Sequence, residues 1–271
     1  MSIWGLVEME IRLRREQPGD YRAVEELIRK AFWLHNPVCD EPLIAHRLRD
    51  APAFVPELDY VAEAEGRIVG SVMFTRAKIV EAGGGEHEVL SFGPLGVLPA
   101  YQNRGVGRAL MRRTIAEAKQ LGYRAIVFFG EPDYYPRLGF RRAAEFGLAP
   151  AEGAPCDAFM AMPLYPGALD GISGRFHEAP YFQVDPGEAE AFNRALSPQE
   201  KQPLPSIDVL LRRLSGLARA AVEQRRIPTL AELRRFSGRE VAAWPGMDRQ
   251  AFAIINEVMQ AHGYGKKVFP A

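Results

Sequence analysis

Cysteine is nearly absent: Cys39 and Cys156 are the two in 271 residues. Two distant cysteines make neither a disulfide framework nor a zinc spacing, so a reducing, cytoplasmic setting is expected and both thiols read as small hydrophobes. The five histidines, at 35, 46, 87, 177 and 262, have no i,i+4 pair and no carboxylate motif around them, which predicts no metal site. No apolar run reaches the ~18 residues of a spanning helix, and Glu8 and Glu10 interrupt the N-terminal stretch where a secretory signal would be unbroken. Net charge is also missing. The 34 basic and 34 acidic residues cancel, so the total names no partner. The balance is uneven, because the segment from 206 holds eleven Lys/Arg against six Asp/Glu, a mildly basic tail on a mildly acidic main part.

What is present is an ordinary globular composition, 47% apolar and 25% charged, long enough for one large domain or two modest ones. Residues 9–16 alternate as a short strand. Pro18-Gly19-Asp20 opens a helix with Asp20 as candidate N-cap and Val24, Leu27, Ile28, Ala31 and Phe32 on one face; Asn36-Pro37 ends it. A shorter helix fits 41–50. Strands Tyr60–Ala64 and Ile68–Val80 flank the turn Glu65-Gly66-Arg67, and a third runs Glu88–Leu98 after Gly83-Gly84-Gly85. A helix over Gly105–Leu121 stops at Gly122. Ala125–Phe129 reads as a buried central strand, Tyr134–Leu138 as a short helix and Ala158–Leu164 as a last strand. This order predicts an α/β fold whose sheet is of mixed direction, with helices on both faces. Beyond Leu164 the texture turns Pro- and Gly-rich, with one helical patch near Pro186–Leu196. From Ser206 it is helical, over Ile207–Glu223, Leu230–Phe236, Gly238–Ala243 and Arg249–Gly263. The expected division is a main domain over 9–184, a linker over 185–205 and a small all-α domain over 206–271.

The chemistry-bearing motif is the passage from a strand through Pro99-Ala100-Tyr101 into Gln102-Asn103-Arg104-Gly105-Val106-Gly107-Arg108. Unpaired N–H groups and the positive end of the dipole gather at a helix start, which makes an anion site. Gly105 and Gly107 let a diphosphate approach the backbone, and Arg104 and Arg108 add charge-assisted contacts. The motif is neither Gly-x-Gly-x-x-Gly nor a Walker loop.

As a set these residues resemble the GNAT acyltransferases, whose signature Gln/Arg-x-x-Gly-x-Gly/Ala is met by Gln102, Gly105 and Gly107. Tyr134-Tyr135-Pro136-Arg137-Leu138-Gly139-Phe140, one helix and one strand later, is similar to the family's Tyr-x-Lys/Arg-x-Gly-Phe segment. The resemblance spans about 9–165 and implies a GNAT fold and an N-acetyltransferase that uses acetyl-CoA as co-substrate and an amine as acceptor. It further implies that the pantetheine arm pairs with the main chain of Leu95, Gly96 and Val97 like an added strand, with Gly93-Pro94 suited to a bulge. The diphosphate is then expected on residues 102–108. Tyr135, four residues before Gly139, takes the general-acid position, and Tyr134 is the neighbour that could substitute. A main-chain N–H near Val97 is the natural donor to the oxyanion. Glu131, Asp133, Glu86 and Glu88 are the candidate bases. The acceptor is expected to enter over residues 32–41, where aromatics stand beside Asp40 and Glu41.

The tail resembles another module, the C-terminal domain of the bacterial RNA polymerase α subunit. Ile227–Leu233, Ser237–Val241, Pro245–Phe252, Ile255–Met259 and His262-Gly263-Tyr264 carry that frame, with a helix-hairpin-helix turn at Trp244–Asp248. The departures are Leu217 and Ala220 in place of the DNA-contacting arginine and its nearby asparagine, Asp248 at the hairpin's second glycine, and Gln250 and Ala251 at its basic and hydroxyl positions. A carboxylate there repels phosphate. These departures point to protein contact or packing over sequence-specific DNA binding, although Arg212, Arg213, Arg225, Arg226, Arg234 and Arg235 remain a basic cluster. The competing reading of the whole chain is a non-catalytic acyl-CoA-binding module recruited to DNA or a protein through this tail.

Overall fold

The computed structural model describes residues 9–32, 39–154, 156–196, 205–233, 236 and 238–262. Alternation in the first segment forms β1 (Arg12–Arg15), and a 3-10 turn over Pro18–Asp20 leads into α1 (Tyr21–Phe32). Asp20 does not cap α1: its carboxylate accepts the Gln17 amide and pairs with Arg14, which binds it back to β1. After α2 (Glu41–Leu48) come β2 (Tyr60–Ala64) and β3 (Arg67–Val80). Glu65 and Gly66, at φ 53° and 73°, supply the left-handed turn that joins them as a hairpin. β4 (Glu86–Val97) returns antiparallel to β3. Then follow α3 (Val106–Gln120), β5 (Ala125–Phe129), β6 (Arg141–Arg142), β7 (Leu148–Pro150), β8 (Phe159–Pro163) and β9 (Gly174–His177). The sheet has the order β1-β2-β3-β4-β5-β8-β6, with β9 against both β3 and β7. Since β4 and β5 run parallel in an otherwise largely antiparallel sheet, the fold is the mixed α/β arrangement expected.

The period of two decides which helix lies on which face. On β3, Val72 and Phe74 join the core under α3, where Leu110 and Met111 meet them; Met73 points the other way, to Val24, Leu27 and Ile28 of α1. On β5, Ile126 and Phe128 face α3, while Ala125 and Val127 face the opposite layer with Phe159 and Phe176.

β6, β7 and β9 were not expected. β9 lies in the segment whose Pro and Gly content reads as loop, yet Gly174-Arg175-Phe176-His177 alternates and pairs with the end of β3, Lys78 opposite His177. Gly174 is there for room: a methyl group on it would come 2.8 Å from the carbonyl carbon of Val80. Gly174→Ala is therefore expected to destabilise the chain by about 1–3 kcal/mol, the usual cost of overpacking, read as a lowered midpoint in urea. α4 (Pro186–Leu196), inside the segment expected as linker, packs on α1 and α2: Arg22 donates to the carbonyls of Ala195 and Leu196, and Asn193 to that of Cys39. Residues 197–204 of that linker lie outside the described residues.

The tail is helical: α5 (Asp208–Leu211), α6 (Gly216–Gln224), α7 (Leu230–Leu233), α8 (Gly238–Ala242) and α9 (Arg249–Ala261). The single helix expected over Ile207–Glu223 is two, because Ser215 is extended and Gly216 sits at φ 55°. Leu210, Leu230, Val241, Phe252 and Met259 form a core of their own. Gly246, at φ 72°, lets the hairpin touch α6, since a methyl group there would lie 2.7 Å from the Ala218 amide nitrogen. Gly246→Ala combines this clash with an unfavourable φ and is expected to lower tail stability by about 1–3 kcal/mol, seen as earlier loss of amide protection over 206–262 than over the sheet. Of the tail's expected basic cluster, Arg234 and Arg235 lie outside the described residues, as do Ser237, Gly263 and Tyr264. Among the described residues no helix is long and apolar enough to cross a membrane.

Candidate active site

The sheet opens where β4 and β5 part. Their ladder is a single parallel pairing, Leu90 with Ile126. Beyond it β4 runs on to Val97 while β5 ends at Phe129. Within that stretch Met73 alone stands opposite both Gly93 and Pro94, a bulge made possible by Gly93 at φ 152°. The extra residue resets the alternation: Phe92 faces α3 before the bulge, and Leu95 and Val97 face it after. Gly96 is turned to α1, where a Cβ would come 3.1 Å from Leu27 Cδ2. The Leu98 amide donates to Val69 O at 2.9 Å. Alternation then directs the main-chain groups of Gly96 to β3, and those of Leu95 and Val97 away from it, toward the gap.

β4 leads straight into the glycine-bearing turn. Pro99–Tyr101 form a 3-10 turn, Asn103 sits at φ 60° and Gly105 at φ 89°. The Gln102 side chain donates to Val97 O at 3.1 Å, which ties the turn to the end of the strand. Asn103, Arg104, Gly105 and Arg108 are exposed, and Val106 is buried in the core, which fixes the direction of α3. No side chain caps α3, so its first amides, at 106–108, are left to an outside acceptor. Arg104 lies over the Tyr101 ring, 5.4 Å from its centroid.

The two tyrosines divide the cleft. Tyr134 reaches the start of α3: a Cβ on Gly107 would lie 3.1 Å from its hydroxyl. Burial pushes the Tyr134 phenol up, partly offset by Arg108 and Arg137, so the hydroxyl keeps its proton at neutral pH. Tyr135 begins a 3-10 turn and sets its ring edge-on to Phe128 at 4.6 Å, Phe92 at 5.5 Å and Phe140 at 5.8 Å, between β4 and β5. Gly139, at φ 98°, closes the turn and sends Phe140 into the core.

The expected carboxylates scatter. Glu86 pairs with Lys78 at 2.6 Å, and Glu86 and Glu88 lie at the far end of β4 from the bulge. Asp133 accepts the Gly238 amide at 2.9 Å and seats the tail beside the tyrosines. A surface cavity of about 330 Å³ lies at this junction, with Arg239 on one wall; Arg141 and Arg142 on another are paired with Glu145 and Asp157. Glu131 follows β5 at the mouth of the gap, and its carbonyl accepts the Tyr134 amide. Of the expected acceptor loop, residues 33–38 lie outside the described residues. At its end the buried Cys39 thiol donates to Glu41 Oε2 at 3.1 Å, and burial raises Glu41 to about 7. A carboxylate not expected is Glu178, just after β9: it accepts the Ser91 hydroxyl at 3.1 Å, and burial pushes its carboxyl up. The alternation of 174–177 was the signal that leads to it.

A family profile described as "Acetyltransferase (GNAT) domain" matches residues 57–142, the strands, turn and tyrosine segment just described. The chain is 29% identical over 168 residues to the Escherichia coli protein YhbS, described as an uncharacterized N-acetyltransferase; the match covers 61% of this chain and 96% of that one. It is 34% identical over 127 residues to YjhQ of the same organism, also an uncharacterized N-acetyltransferase, covering 46% of this chain and 67% of the relative. Among solved structures, YhbS in complex with CoA superposes with a TM-score of 0.57 at 27% identity, over 64% of this chain and 92% of that one. A GNAT family acetyltransferase from Brucella melitensis in complex with acetyl-CoA superposes with a TM-score of 0.50 at 28% identity, over 64% and 99%. With the strand, turn and helix of the signature in place and these similarities beside them, the chain belongs to the GNAT family of acetyltransferases.

Proposed function

We propose that the chain transfers the acetyl group of acetyl-CoA to a primary amine, with residues 95–108 as the cofactor seat. The observation that carries this reading is the uncapped start of α3 facing the gap between β4 and β5. The diphosphate docks on the amides of 106–108, assisted by Arg104 and Arg108, as an anion does at any free helix start. The pantetheine arm lies along β4 and pairs with the main chain of Leu95 and Val97. Two relatives of the same fold are described in complex with CoA and acetyl-CoA, which supports the choice of cofactor.

In the reaction the amine nitrogen attacks the thioester carbon, and the oxyanion is met by the Val97 amide. The C–S bond then breaks, and the leaving thiolate takes the phenolic proton of Tyr135. Gln102 acts indirectly: by occupying Val97 O it holds the end of β4 in place beside the turn.

The tail reads as a packing or protein-contact domain over 206–271, divided from a main domain over 9–184. Asp248 supports that reading, since its carboxylate caps α9 by accepting the Ala251 amide at 2.8 Å. In a helix-hairpin-helix the amides there are where a phosphate would dock, and here a resident carboxylate takes one of them.

Calorimetry of the full chain tests the reading. One coenzyme A per chain is expected, with Arg108→Ala weakening it by about tenfold, the loss of one charge-assisted contact of about 1.4 kcal/mol. Absence of uptake by the unaltered chain sinks the assignment.

A further inference from the structure

On the face opposite α3, the sheet carries a polar strip where apolar residues would be expected. Thr75 and Ser91 stand opposite each other on β3 and β4, both fully buried. On this face Met73 and Ala77 flank Thr75, and Val89 precedes Ser91. Among the described residues the Thr75 hydroxyl has no hydrogen-bond partner. Buried hydroxyls are almost always satisfied, by protein, by water or by a ligand. Ser91 does have a partner: it donates to Glu178 Oε1 at 3.1 Å. Glu178 is an exposed residue, reachable from outside, and the burial of its carboxyl pushes it up while the Ser91 hydroxyl pulls it back. Ser91 is the first residue of β4 past the pairing with β5, and Gly93 of the bulge lies two residues on. The Phe182 ring stands against Gly93, 3.5 Å from where a Cβ would be, and Tyr181 and Phe182 both pack toward α1 and α2.

We infer that the acceptor is a protonated primary amine lying against the exposed side of Glu178, next to the bulge at Gly93-Pro94, and that Glu178 is the base that takes its proton. This rests on the acetyl-transfer reading. An exposed carboxylate held in place by a buried hydroxyl is a seat for an ammonium, since the opposite charges attract. It is reached from the face opposite α3, so amine and cofactor approach the bulge from the two sides of the sheet. The ammonium gives one proton to Glu178 and the resulting free amine attacks the thioester. A second N–H proton leaves for solvent as the amide forms, the thiolate takes the Tyr135 proton, and solvent restores Glu178 and Tyr135. The net change is one amide, one free thiol and one proton released. Ser91 is a positioning residue, because its hydroxyl both orients the carboxylate and favours its charged form. The charged groups on neighbouring elements are Lys78 on β3, paired with Glu86, His177 beside it, and Glu41, His46 and Arg47 on α2; burial and the Ser91 hydroxyl are the influences that set Glu178.

The test uses the full chain with acetyl-CoA and four primary amines, benzylamine, tyramine, spermidine and lysine, reading thiol release as a function of pH. With Glu178→Gln, kcat/KM for the amine is expected to fall about a hundredfold or more, the ordinary contribution of a positioned base, and the acid limb of the profile to flatten. KM for acetyl-CoA should stay unchanged. With Ser91→Ala the acid limb should move to higher pH, because a donor to the carboxylate is gone. A Glu178→Gln chain that keeps wild-type kcat/KM and its acid limb overturns the assignment. Coenzyme A binding without turnover of any of these amines overturns the acceptor class. Failure to take up coenzyme A at all removes the acetyl-transfer reading, and this inference with it.

Discussion

Replacing Gly107 with aspartate is expected to leave the chain folded and to abolish coenzyme A uptake. Gly107 is the second residue of α3, with ordinary helical backbone, so the fold does not need a glycine there. Its missing side chain serves the Tyr134 hydroxyl, 3.1 Å from where a Cβ would stand, and the approach of an anion to the amides on either side. An aspartate in the first turn favours the helix by about 0.3–1 kcal/mol through the dipole, and leaving glycine adds about 0.3 kcal/mol, against the small shift that the Tyr134 hydroxyl must make. Thermal stability should therefore hold or rise. The same carboxylate stands where the diphosphate must sit. Two like charges about 4 Å apart repel by roughly 4 kcal/mol near a protein surface. The dissociation constant should rise about a thousandfold, equivalent to about 4 kcal/mol. Calorimetry and a melting curve on the same sample decide it. Retained affinity in a folded Gly107→Asp chain would move the diphosphate elsewhere.

Tyr135→Phe should lower kcat about a hundredfold while leaving coenzyme A affinity near wild type. Phenylalanine keeps the edge-on contacts with Phe128, Phe92 and Phe140, so the aromatic cluster survives and the lost group is the proton donor alone. Tyr134→Phe is the contrasting variant. Its hydroxyl lies over the start of α3, so its loss should weaken coenzyme A binding a few-fold and spare kcat. Steady-state rates at saturating acetyl-CoA separate the two. If the effects are reversed, with Tyr134 carrying the rate, the acid belongs to the residue nearer the helix.

Much of the catalytic half was legible because its signals are local. Ala125–Phe129 reads as a buried strand from five apolar residues in a row, and both of its faces are indeed covered. The turn at Gly105 and the bulge at Gly93-Pro94 announce themselves through residues that tolerate unusual backbone. What stayed hidden depends on distant partners. β9 is four residues long and becomes a strand because the end of β3 and the short β7 offer it their edges. Its flanking prolines and glycines dominate any local reading. Glu178 is an unremarked glutamate in sequence and acquires meaning from Ser91, 87 residues earlier. The different places of Tyr134 and Tyr135 are not visible in adjacent letters; they follow from the Phe92–Phe128 pair holding the Tyr135 ring while the Tyr134 hydroxyl reaches Gly107. In the tail, the helix expected over Ile207–Glu223 failed at Gly216 because apolar spacing continues across the break while the backbone does not.

The doubled residue opposite Met73 has a bearing on how this protein can vary. A chain that lost either Gly93 or Pro94 would turn every later side chain of the strand over, sending Leu95 and Val97 toward α1 and Gly96 toward α3. Insertions and deletions are thereby closed off along β4, and with them any gradual change in how the strand presents itself to a cofactor. Variation in length is left to segments outside the sheet ladder, such as the stretch that follows β9 across the opposite face.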